Sequence, residues 1–474
     1  MTKFKSLIFC AAELAEQSEG RLVQGRPETM IEGFSIDSRS IKQGDIFIAI
    51  NGTRFDGHEF VNESLRRGAA GIIISDQSAI RIDYKTSKDV FVILVRDTTR
   101  ALQRLGRYVR RCSGSSVVAI TGSMGKTTTK EMVAVLLEGS CRVFRSAGNL
   151  NNHIGVPLSL LELRKRPQVA VMELGMNHPG EISDLVSITE PDFRVWTNVA
   201  EVHSAFFNSI EEIADAKAEI LEGASSTGHL VANAGDFRVM NRSKSFPGSL
   251  TTFGVEQSAD VSARQVRMLG LEGMEANIET PVGSRLLRTP MVGFGHMDNI
   301  VAAIALALQF NIPLDLLVNR ISHFLPQAGR GKIIEVGKMV VIDDTYNSNP
   351  AALQAALQAV GSDTKCSRRV AILGEMLELG QRSESLHELC GRTAVRSGFE
   401  KIILVGGDSV LALAKGAIAE GLPKKEIETF STSKEAAEYA MQILQDGDVV
   451  LVKGSRGVSM EHIVNCITKA QAES

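Results

Sequence analysis

The stretch that decides the fold is Ser115-Ser-Val-Val-Ala-Ile-Thr-Gly-Ser-Met-Gly-Lys-Thr-Thr-Thr-Lys-Glu131. Its apolar, β-branched start, residues 117–120, predicts a short buried strand, and the run 131–137 is compatible with a helix. Glycines between the two let backbone N–H groups and the N-terminus of the following helix point at phosphate oxygens. The order of strand, glycine loop and helix therefore predicts a phosphate-binding loop.

The loop differs from the usual nucleotide-binding pattern at one place, where Ile120 stands instead of a first glycine. In the remaining part, Lys126 would reach the β- and γ-phosphates and the Thr127 hydroxyl would hold Mg²⁺. A chance Gly-Lys-Thr in a turn is the alternative, but the flanking strand and helix favour a nucleotide. We expect nucleoside triphosphate binding by the loop residues Gly122, Ser123, Met124, Gly125, Lys126, Thr127 and Thr128.

The composition is typical of a globular protein with several domains. The chain has 474 residues, of which 44% are hydrophobic and 23% charged, and this length predicts roughly two to four domains. A formal net charge of −3 gives no reason to expect nucleic acid or an anionic membrane as a partner. The six cysteines are scattered without a Cys-x-x-Cys pair, which fits a reducing cytosol better than a disulfide framework or a zinc site.

The N-terminus briefly resembles a signal peptide between Lys3 and Ala12, but its apolar run is short and ends in Glu13. We therefore expect an amphipathic first helix there. No other stretch has the uninterrupted apolar length that a membrane-spanning helix needs. The sequence thus predicts a cytoplasmic protein without a membrane partner.

The first 97 residues predict a small α/β domain with a helical stretch at 59–67. Ser38 and Arg39, ahead of the first long strand, either grip a phosphate group or belong to a solvated loop. A basic helix expected at 98–111 leads into the phosphate loop, and the domain border is expected beside it. The strand candidates are 44–50, 69–75 and 89–95.

In the central region, residues 98–325, polar residues follow two further apolar strands. Ligands gather at the carboxyl ends of strands in open α/β sheets, so Glu173 either holds Mg²⁺ beside the loop or makes a structural salt bridge. His203 follows the next strand and is either a ligand or an ordinary histidine. Lys217 lies on a predicted helix, where a lysine is by default a solvated side chain.

Asparagines elsewhere in the central region are also candidates. Asn149, Asn151 and Asn152 lie near glycines and either offer amides to a polar ligand or form a plain turn. Asn299 opens an alanine-rich helix, where it either bonds a nucleotide base or ribose or caps the helix. The stretch from about 237 to 288 shows short β-like runs, and we expect it to be peripheral.

The last third of the chain alternates strands and helices as a doubly wound parallel sheet does. It contains no second phosphate loop, so we expect it to present groups to a ligand held elsewhere. Its strand candidates are 369–373, 401–405 and 448–452. The predicted fold class is α/β with three domains: a small N-terminal α/β domain (1–97), a central phosphate-loop, parallel-sheet ATPase-like domain (98–325) and a C-terminal Rossmann-like domain (326–474).

Taken together, these motifs resemble those of the ATP-dependent Mur ligases of bacterial cell-wall synthesis, over nearly the whole chain. The positions that match the family in order are the 121–129 loop, Glu173, His203, Lys217, Asn299, Arg330 and Asp344. Within the family, five further stretches are similar to those of the members that add D-alanyl-D-alanine. They are 149–155, 173–182, 344–350, 373–380 and 451–456.

The resemblance implies a ligase that joins D-alanyl-D-alanine to UDP-N-acetylmuramoyl-tripeptide through an acyl phosphate formed from ATP. It implies Lys126, Glu173, His203 and Lys217 as catalytic residues. Two Mg²⁺ sites are expected, built from Thr127, Glu173, His203 and, if it carries a carbamate, Lys217. Anionic phosphate and carboxylate must meet in the first step, which explains the need for these cations.

The resemblance also implies which residues touch the substrates of a monomeric enzyme. Asn299 is expected at the adenine, and Arg330 and Asp344 at phosphate and ribose. The residues expected at the UDP-sugar are Ser38, Arg39, Asn149, Asn151 and Asn152, and those expected at the dipeptide are Tyr346, Asn347, Asn349 and Glu375.

Two other functions stay open at this point. A ligase like folylpolyglutamate synthase shares the chemistry, but its N-terminus lacks a separate UDP-binding unit, whereas about a hundred residues precede the loop here. A nucleotide-dependent switch without ligase activity is the second alternative, and Glu173, His203 and Lys217 argue against it.

Overall fold

The computed structural model describes residues 6–52, 55–79, 90–201, 206–362 and 368–472. Within these ranges the strands form three larger sheets and one two-stranded ribbon. Helices cover the sheets, so the predicted α/β class with three domains is confirmed. None of the helices in the described ranges combines the length and the apolar character that crossing a lipid bilayer requires.

The N-terminal sheet has the order β2-β7-β6-β5-β4, parallel except for β2 at one edge. The apolar residues of β5 and β6 are buried on both faces of the sheet, as parallel strands require. The strands are β1 Phe9–Cys10, β2 Arg21–Gln24, β3 Met30–Ile31, β4 Gly33–Ser35, β5 Asp45–Ile48, β6 Gly71–Ile74 and β7 Phe91–Leu94. The helices here are α1 Ala11–Gln17 and α2 Val61–Arg66, followed by α3 Thr98–Ser113.

The start of the chain differs from the expected helix over Lys3 to Ala12. β1 pairs antiparallel with β3, and α1 begins only at Ala11. The pairing of Phe9 with Ile31 keeps the backbone before α1 extended, and the Phe9 side chain, 3% exposed, packs into the core. The expectation is therefore wrong for residues 6–10, and residues 1–5 lie outside the described part.

The central sheet has the order β16-β15-β14-β13-β12-β11-β8-β10-β9 and is parallel from β9 to β14. Helices pack on both faces, which explains the continuous apolar runs of β8 and β10. The strands are β8 Ser116–Thr121, β9 Val143–Arg145, β10 Val169–Glu173, β11 Phe193–Trp196, β12 His229–Asn233, β13 Ser249–Val255, β14 Val261–Met268, β15 Met274–Thr280 and β16 Gly283–Thr289. The helices are α4 Lys126–Leu137, α5 Gly155–Leu161, α6 Glu181–Thr189, α7 Ile210–Ala218, α8 Phe237–Ser243, α9 Phe294–Leu308 and α10 Leu314–Ser322.

The stretch 237–288 is more regular than expected. After α8 it forms β13 to β16, strands of seven or eight residues that extend the central sheet to its edge. It is therefore peripheral in position, but part of the same sheet.

The C-terminal sheet has the order β17-β18-β22-β19-β20-β21, with β17 antiparallel to β18 and the other pairs parallel. Its two faces carry separate apolar clusters under the helices. The strands are β17 Lys332–Val336, β18 Met339–Asp344, β19 Arg368–Gly374, β20 Lys401–Val405, β21 Ile427–Phe430 and β22 Asp448–Lys453. The helices are α11 Pro350–Gly361, α12 Ser383–Arg396, α13 Ser409–Ala419, α14 Ser433–Ile443 and α15 Glu461–Ala472.

Candidate active site

The loop between β8 and α4 needs its two glycines for both conformation and space. Gly122 and Gly125 have φ values of +151° and +81°, in the region that favours glycine. A Cβ on Gly122 would lie 1.9 Å from Thr197 Oγ1, and one on Gly125 would lie 2.0 Å from Asn299 Oδ1. The loop therefore has this shape only with glycine at both positions.

Residues that follow β11 fix the other side of the loop, and sequence reasoning did not single them out. Asn198 Oδ1 accepts a hydrogen bond from the Met124 N–H at 2.9 Å, and Thr197 Oγ1 donates to the Met124 carbonyl at 2.7 Å. Since β11 lies beside β8, the position of these residues just after a strand was the signal that could have found them.

Lys126 at the start of α4 folds back over the loop. Its Nζ donates to the carbonyls of Gly122 at 2.9 Å and Ser123 at 3.4 Å. Burial lowers the pKa of Lys126, the charge of Glu173 opposes this shift, and the nearby Arg330 guanidinium adds to it. An anion in the loop would supply a further opposite charge and so favour the charged form of Lys126.

Glu173, at the end of β10, is 3% exposed and fully engaged. Its Oε2 accepts from Thr127 Oγ1 at 2.8 Å and its Oε1 accepts from Asn151 Nδ2 at 2.8 Å. A carboxylate and a hydroxyl oxygen thus lie side by side beside the phosphate loop, and hard oxygen donors of this kind suit Mg²⁺. Across the described residues no group of three or more His, Cys, Asp or Glu side chains is arranged so that it could hold a metal ion. His203 lies outside the described residues.

The asparagine loop, residues 149–152, is positioned by the buried Lys130. Lys130 Nζ donates to the carbonyls of Ser146 at 2.6 Å and Gly148 at 3.2 Å, just before this loop. Asn152 Oδ1 accepts from the Gly155 N–H at 2.8 Å, at the start of α5. The loop is therefore a firmly held wall beside Glu173.

The C-terminal sheet reaches the same loop through Arg330. Its Nη2 donates to Thr127 Oγ1 at 2.9 Å, and its guanidinium lies 3.7 Å from the centre of the Tyr346 ring. Arg456 lies over the same ring at 5.0 Å. Two cations therefore stack on one aromatic side chain at the edge of the phosphate loop.

Asp344 ends β18 and is paired with Lys453 at the end of β22. Lys453 Nζ lies 2.6 Å from Asp344 Oδ2 and also donates to the Asn347 carbonyl at 3.0 Å. The Asn349 side chain caps α11 by accepting from the Ala352 N–H at 2.9 Å. These contacts fix the polar segment that follows β18.

A cleft of about 600 Å³ lies between the central and C-terminal sheets and brings most of the predicted residues together. The predicted residues in its wall are Ser123, Met124, Gly125, Lys126, Thr127, Thr128, Asn149, Asn151, Asn152, Glu173, Asn299, Arg330, Asp344, Tyr346, Asn347 and Asn349. Because these residues come from strand ends and loops far apart in sequence, the cleft is a composite site.

Five other predicted residues of the described part lie outside the wall of the cleft: Gly122 at the start of the loop, Ser38, Arg39, Lys217 and Glu375. Ser38 Oγ donates to Glu63 Oε2 at 3.2 Å, Arg39 pairs with Asp37 at 2.7 Å, and Glu375 Oε2 accepts from the Gly407 N–H at 3.3 Å. Lys217 on α7 is 2% exposed. Burial and the charge of Lys126 lower its pKa well below the ordinary value. Lys217 is thus a buried amine near the phosphate loop, unlike the solvated lysine that is the default.

A second cavity of about 290 Å³ lies between residues 34–40 of the N-terminal domain and 144–162 of the central one. Asp37 and Ser40, next to Ser38 and Arg39, are in its wall together with Phe34 and Phe144.

Comparisons with known proteins agree with this layout. Models of the Mur ligase family match the chain in three parts: the catalytic domain at 30–110, the middle domain at 120–307 and the glutamate ligase domain at 329–456. The chain is 32% identical over 453 residues to UDP-N-acetylmuramoyl-tripeptide–D-alanyl-D-alanine ligase of Bacillus subtilis, covering 95% of this chain and 96% of that protein.

Solved structures show the same similarity. MurF from Acinetobacter baumannii superposes with a TM-score of 0.87 at 31% identity, covering 98% of this chain and 100% of that one. MurF from Thermotoga maritima in complex with ADP has a TM-score of 0.81 at 27% identity, covering 93% and 98%. Folylpolyglutamate synthase of Mycobacterium tuberculosis, with a TM-score of 0.63 at 17% identity over 78% of this chain, shares the fold alone.

Proposed function

The chain belongs to the Mur ligase family, and from that premise we propose that it joins D-alanyl-D-alanine to UDP-N-acetylmuramoyl-tripeptide in an ATP-dependent step of peptidoglycan synthesis. The observation that carries this function is the composite cleft, in which Lys126 and Thr127 of the phosphate loop meet Arg330 of the C-terminal domain. A ligase needs such a site because a nucleotide, a carboxylate and an amine must be held together.

The reaction has two steps. The terminal carboxylate of the tripeptide attacks the γ-phosphorus of ATP, the bond to the β,γ-bridging oxygen breaks, and ADP leaves. The amine of D-alanyl-D-alanine then attacks the acyl carbon, phosphate leaves and the amine loses a proton. Both partners of the first step are anions, so Lys126 and Arg330 are placed to neutralise the phosphates.

Thr127 and Glu173 are the proposed Mg²⁺ ligands, since their oxygens already lie 2.8 Å apart beside the loop. Mg²⁺ supplies charge neutralisation on the phosphates when bound. A second site would use His203 and a carbamate on Lys217. Burial supports the carbamate, because a lysine with a lowered pKa keeps the neutral amine that adds to CO₂.

The substrate contacts are proposed as the family pattern implies. Asn299 would contact the adenine, and Asp344 the ribose. Ser38, Arg39 and the asparagine loop would hold the UDP-sugar, which the second cavity between them supports. The segment 346–349 and Glu375 would border the dipeptide.

Three further proposals concern the domain borders, the oligomeric state and the location of the protein. The domain borders at 97/98 and 325/326 are supported by their position between the sheets. A monomer and a cytoplasmic location are the remaining two, the second supported by the scattered cysteines.

The test measures the rate of phosphate release from ATP with both substrates present and with each substrate omitted in turn. We expect rapid release only when UDP-N-acetylmuramoyl-tripeptide and D-alanyl-D-alanine are both present. Slow hydrolysis that ignores both substrates would instead favour the nucleotide-dependent switch. Release that requires a folate and glutamate would favour the folylpolyglutamate synthase alternative, although the N-terminal sheet argues against it.

A further inference from the structure

One part of the cleft wall is apolar. It joins Leu271 and Val292 of the central domain to the small side chains of α11 in the C-terminal domain, and Leu271 packs against the C-terminal core. The members on the C-terminal side include Ile342 of β18 and Ala355, Ala356, Ala359 and Val360 of α11. A planar base can lie against such a wall because alanine leaves room beside the helix.

The amide oxygen of Asn299, the residue expected at the adenine, is already occupied. It accepts from Thr129 Oγ1 at 3.2 Å and lies where a Cβ on Gly125 would come within 2.0 Å. Asn299 is 6% exposed, so most of its side chain holds α9 against the phosphate loop. The Asn299 oxygen therefore already has one donor, and a second polar group beside it would add to the discrimination between bases.

Asp298, the preceding residue of α9, has the opposite character. It lies in the wall of the cleft and, among the described residues, its carboxylate has no hydrogen bond or ion pair. Burial raises the pKa of Asp298 to about 6. It lies beyond the first turn of α9, where the helix N-terminus gives little stabilisation. A partly desolvated acceptor without a donor is stabilised by a ligand that donates to it.

We propose that Asp298 is a specificity-determining residue for the nucleotide base, its carboxylate accepting a hydrogen bond from the exocyclic amino group of adenine while the apolar wall covers the ring. This inference rests on the proposed ATP-dependent function. A hypoxanthine base has a carbonyl oxygen in place of that amino group, so two acceptors would face each other. The site would thus bind inosine nucleotides more weakly, because the two facing acceptors form no hydrogen bond.

The test is calorimetric titration of the full chain with ADP and, separately, with IDP, in the presence of Mg²⁺. We expect the wild type to bind ADP about tenfold or more tightly than IDP, as a hydrogen bond to a charged group allows. In Asp298→Ala and Asp298→Asn this ratio should fall about tenfold. Asp184→Asn, an exposed carboxylate on α6, is the matched control and should keep the wild-type ratio.

An unchanged ratio in Asp298→Ala would overturn the proposal, and so would an equal loss of ADP and IDP affinity, which would assign the carboxylate to the ribose. If the alanine variant does not fold, the isosteric asparagine variant decides the question in the same way. Because binding is measured without either cell-wall substrate, the ratio of ADP to IDP affinity can be determined even if the protein does not ligate. A changed ratio in a protein that does not ligate would support Asp298 and contradict the proposed ligase.

Discussion

The central and C-terminal sheets are both built on parallel strands and both send strand ends into the cleft, yet they equip it in different ways. β8 continues into a glycine loop whose lysine donates to the Gly122 carbonyl at 2.9 Å. β18 and β22 end instead in the 2.6 Å pair of Asp344 and Lys453, and the C-terminal side reaches the loop through the long side chain of Arg330.

The two sides of the site therefore differ in how they are built: the central domain supplies the phosphate loop, and the C-terminal domain adds a charged side chain to it. Backbone groups and buried partners hold the loop, so its geometry is set by local sequence and by the neighbouring strand. The C-terminal side adds charge through the side chain of Arg330, which reaches the loop from another domain. We therefore expect loop changes to remove the chemistry and C-terminal changes to weaken it.

The largest effect is expected for Lys126→Met. This change removes the cation closest to the proposed phosphates, and kcat should fall by about 10³-fold, the order seen when a preorganised charge-stabilising donor is lost. The measurement is ligation rate at saturating substrates, with the exposed Lys244→Met as the control. A decrease in kcat of less than about tenfold would contradict the proposed difference between the central and C-terminal sides of the site.

Glu173→Gln tests whether the carboxylate beside the loop holds the metal. The amide keeps a partner for Thr127 but loses the charge that binds Mg²⁺, so the Mg²⁺ concentration for half-maximal activity should rise about tenfold or more. A Mg²⁺ titration of the rate measures this. If activity falls while the Mg²⁺ dependence stays as in the wild type, Glu173 has only a structural role.

Arg330→Met tests the contribution of the C-terminal domain to the site. The variant loses the hydrogen bond to Thr127 and the stacking on Tyr346, and a charged contact of this kind accounts for about 10- to 100-fold in kcat/KM for ATP. Steady-state kinetics with ATP as the varied substrate provide the value. A loss as large as that of Lys126→Met would show that both sides are equally fixed.

The smallest effect is expected for Lys453→Met, and it concerns stability. Asp344 would keep its charge without its partner, and because Asp344 stays partly exposed we expect a cost of about 2 kcal/mol. Thermal unfolding monitored by calorimetry should show a lower Tm. The double variant Lys453→Met with Asp344→Asn should recover part of the loss, and an absence of recovery would contradict the pairing.

Local patterns were enough to predict much of the fold. The apolar run before Gly122 and the alternating strands of the last third were found because β-branched runs and glycines leave a signal within a few residues. Longer-range packing was not visible. Residues 9–10 form a strand in place of the expected helix because they pair with residues 30–31. The strands of 249–289 extend the central sheet only because their partners lie beside them.

The candidate site shows the same limit. The loop, Glu173 and Arg330 stood out as motif residues, whereas the partner of Asp344 could not be found from sequence. Lys453 lies more than a hundred residues further along the chain and reaches Asp344 only because β22 pairs with β18. Asp298 carried no motif, and only the structure shows that its carboxylate has no partner among the described residues.

The most direct test is mass spectrometry of the products formed from ATP, D-alanyl-D-alanine and UDP-N-acetylmuramoyl-tripeptide. Two forms of the tripeptide, ending in diaminopimelate or in lysine, would be offered separately. We predict a nucleotide product heavier by one dipeptide, with one phosphate released for each product formed. Nucleotide binding without any dipeptide addition to either tripeptide would contradict the ligase function.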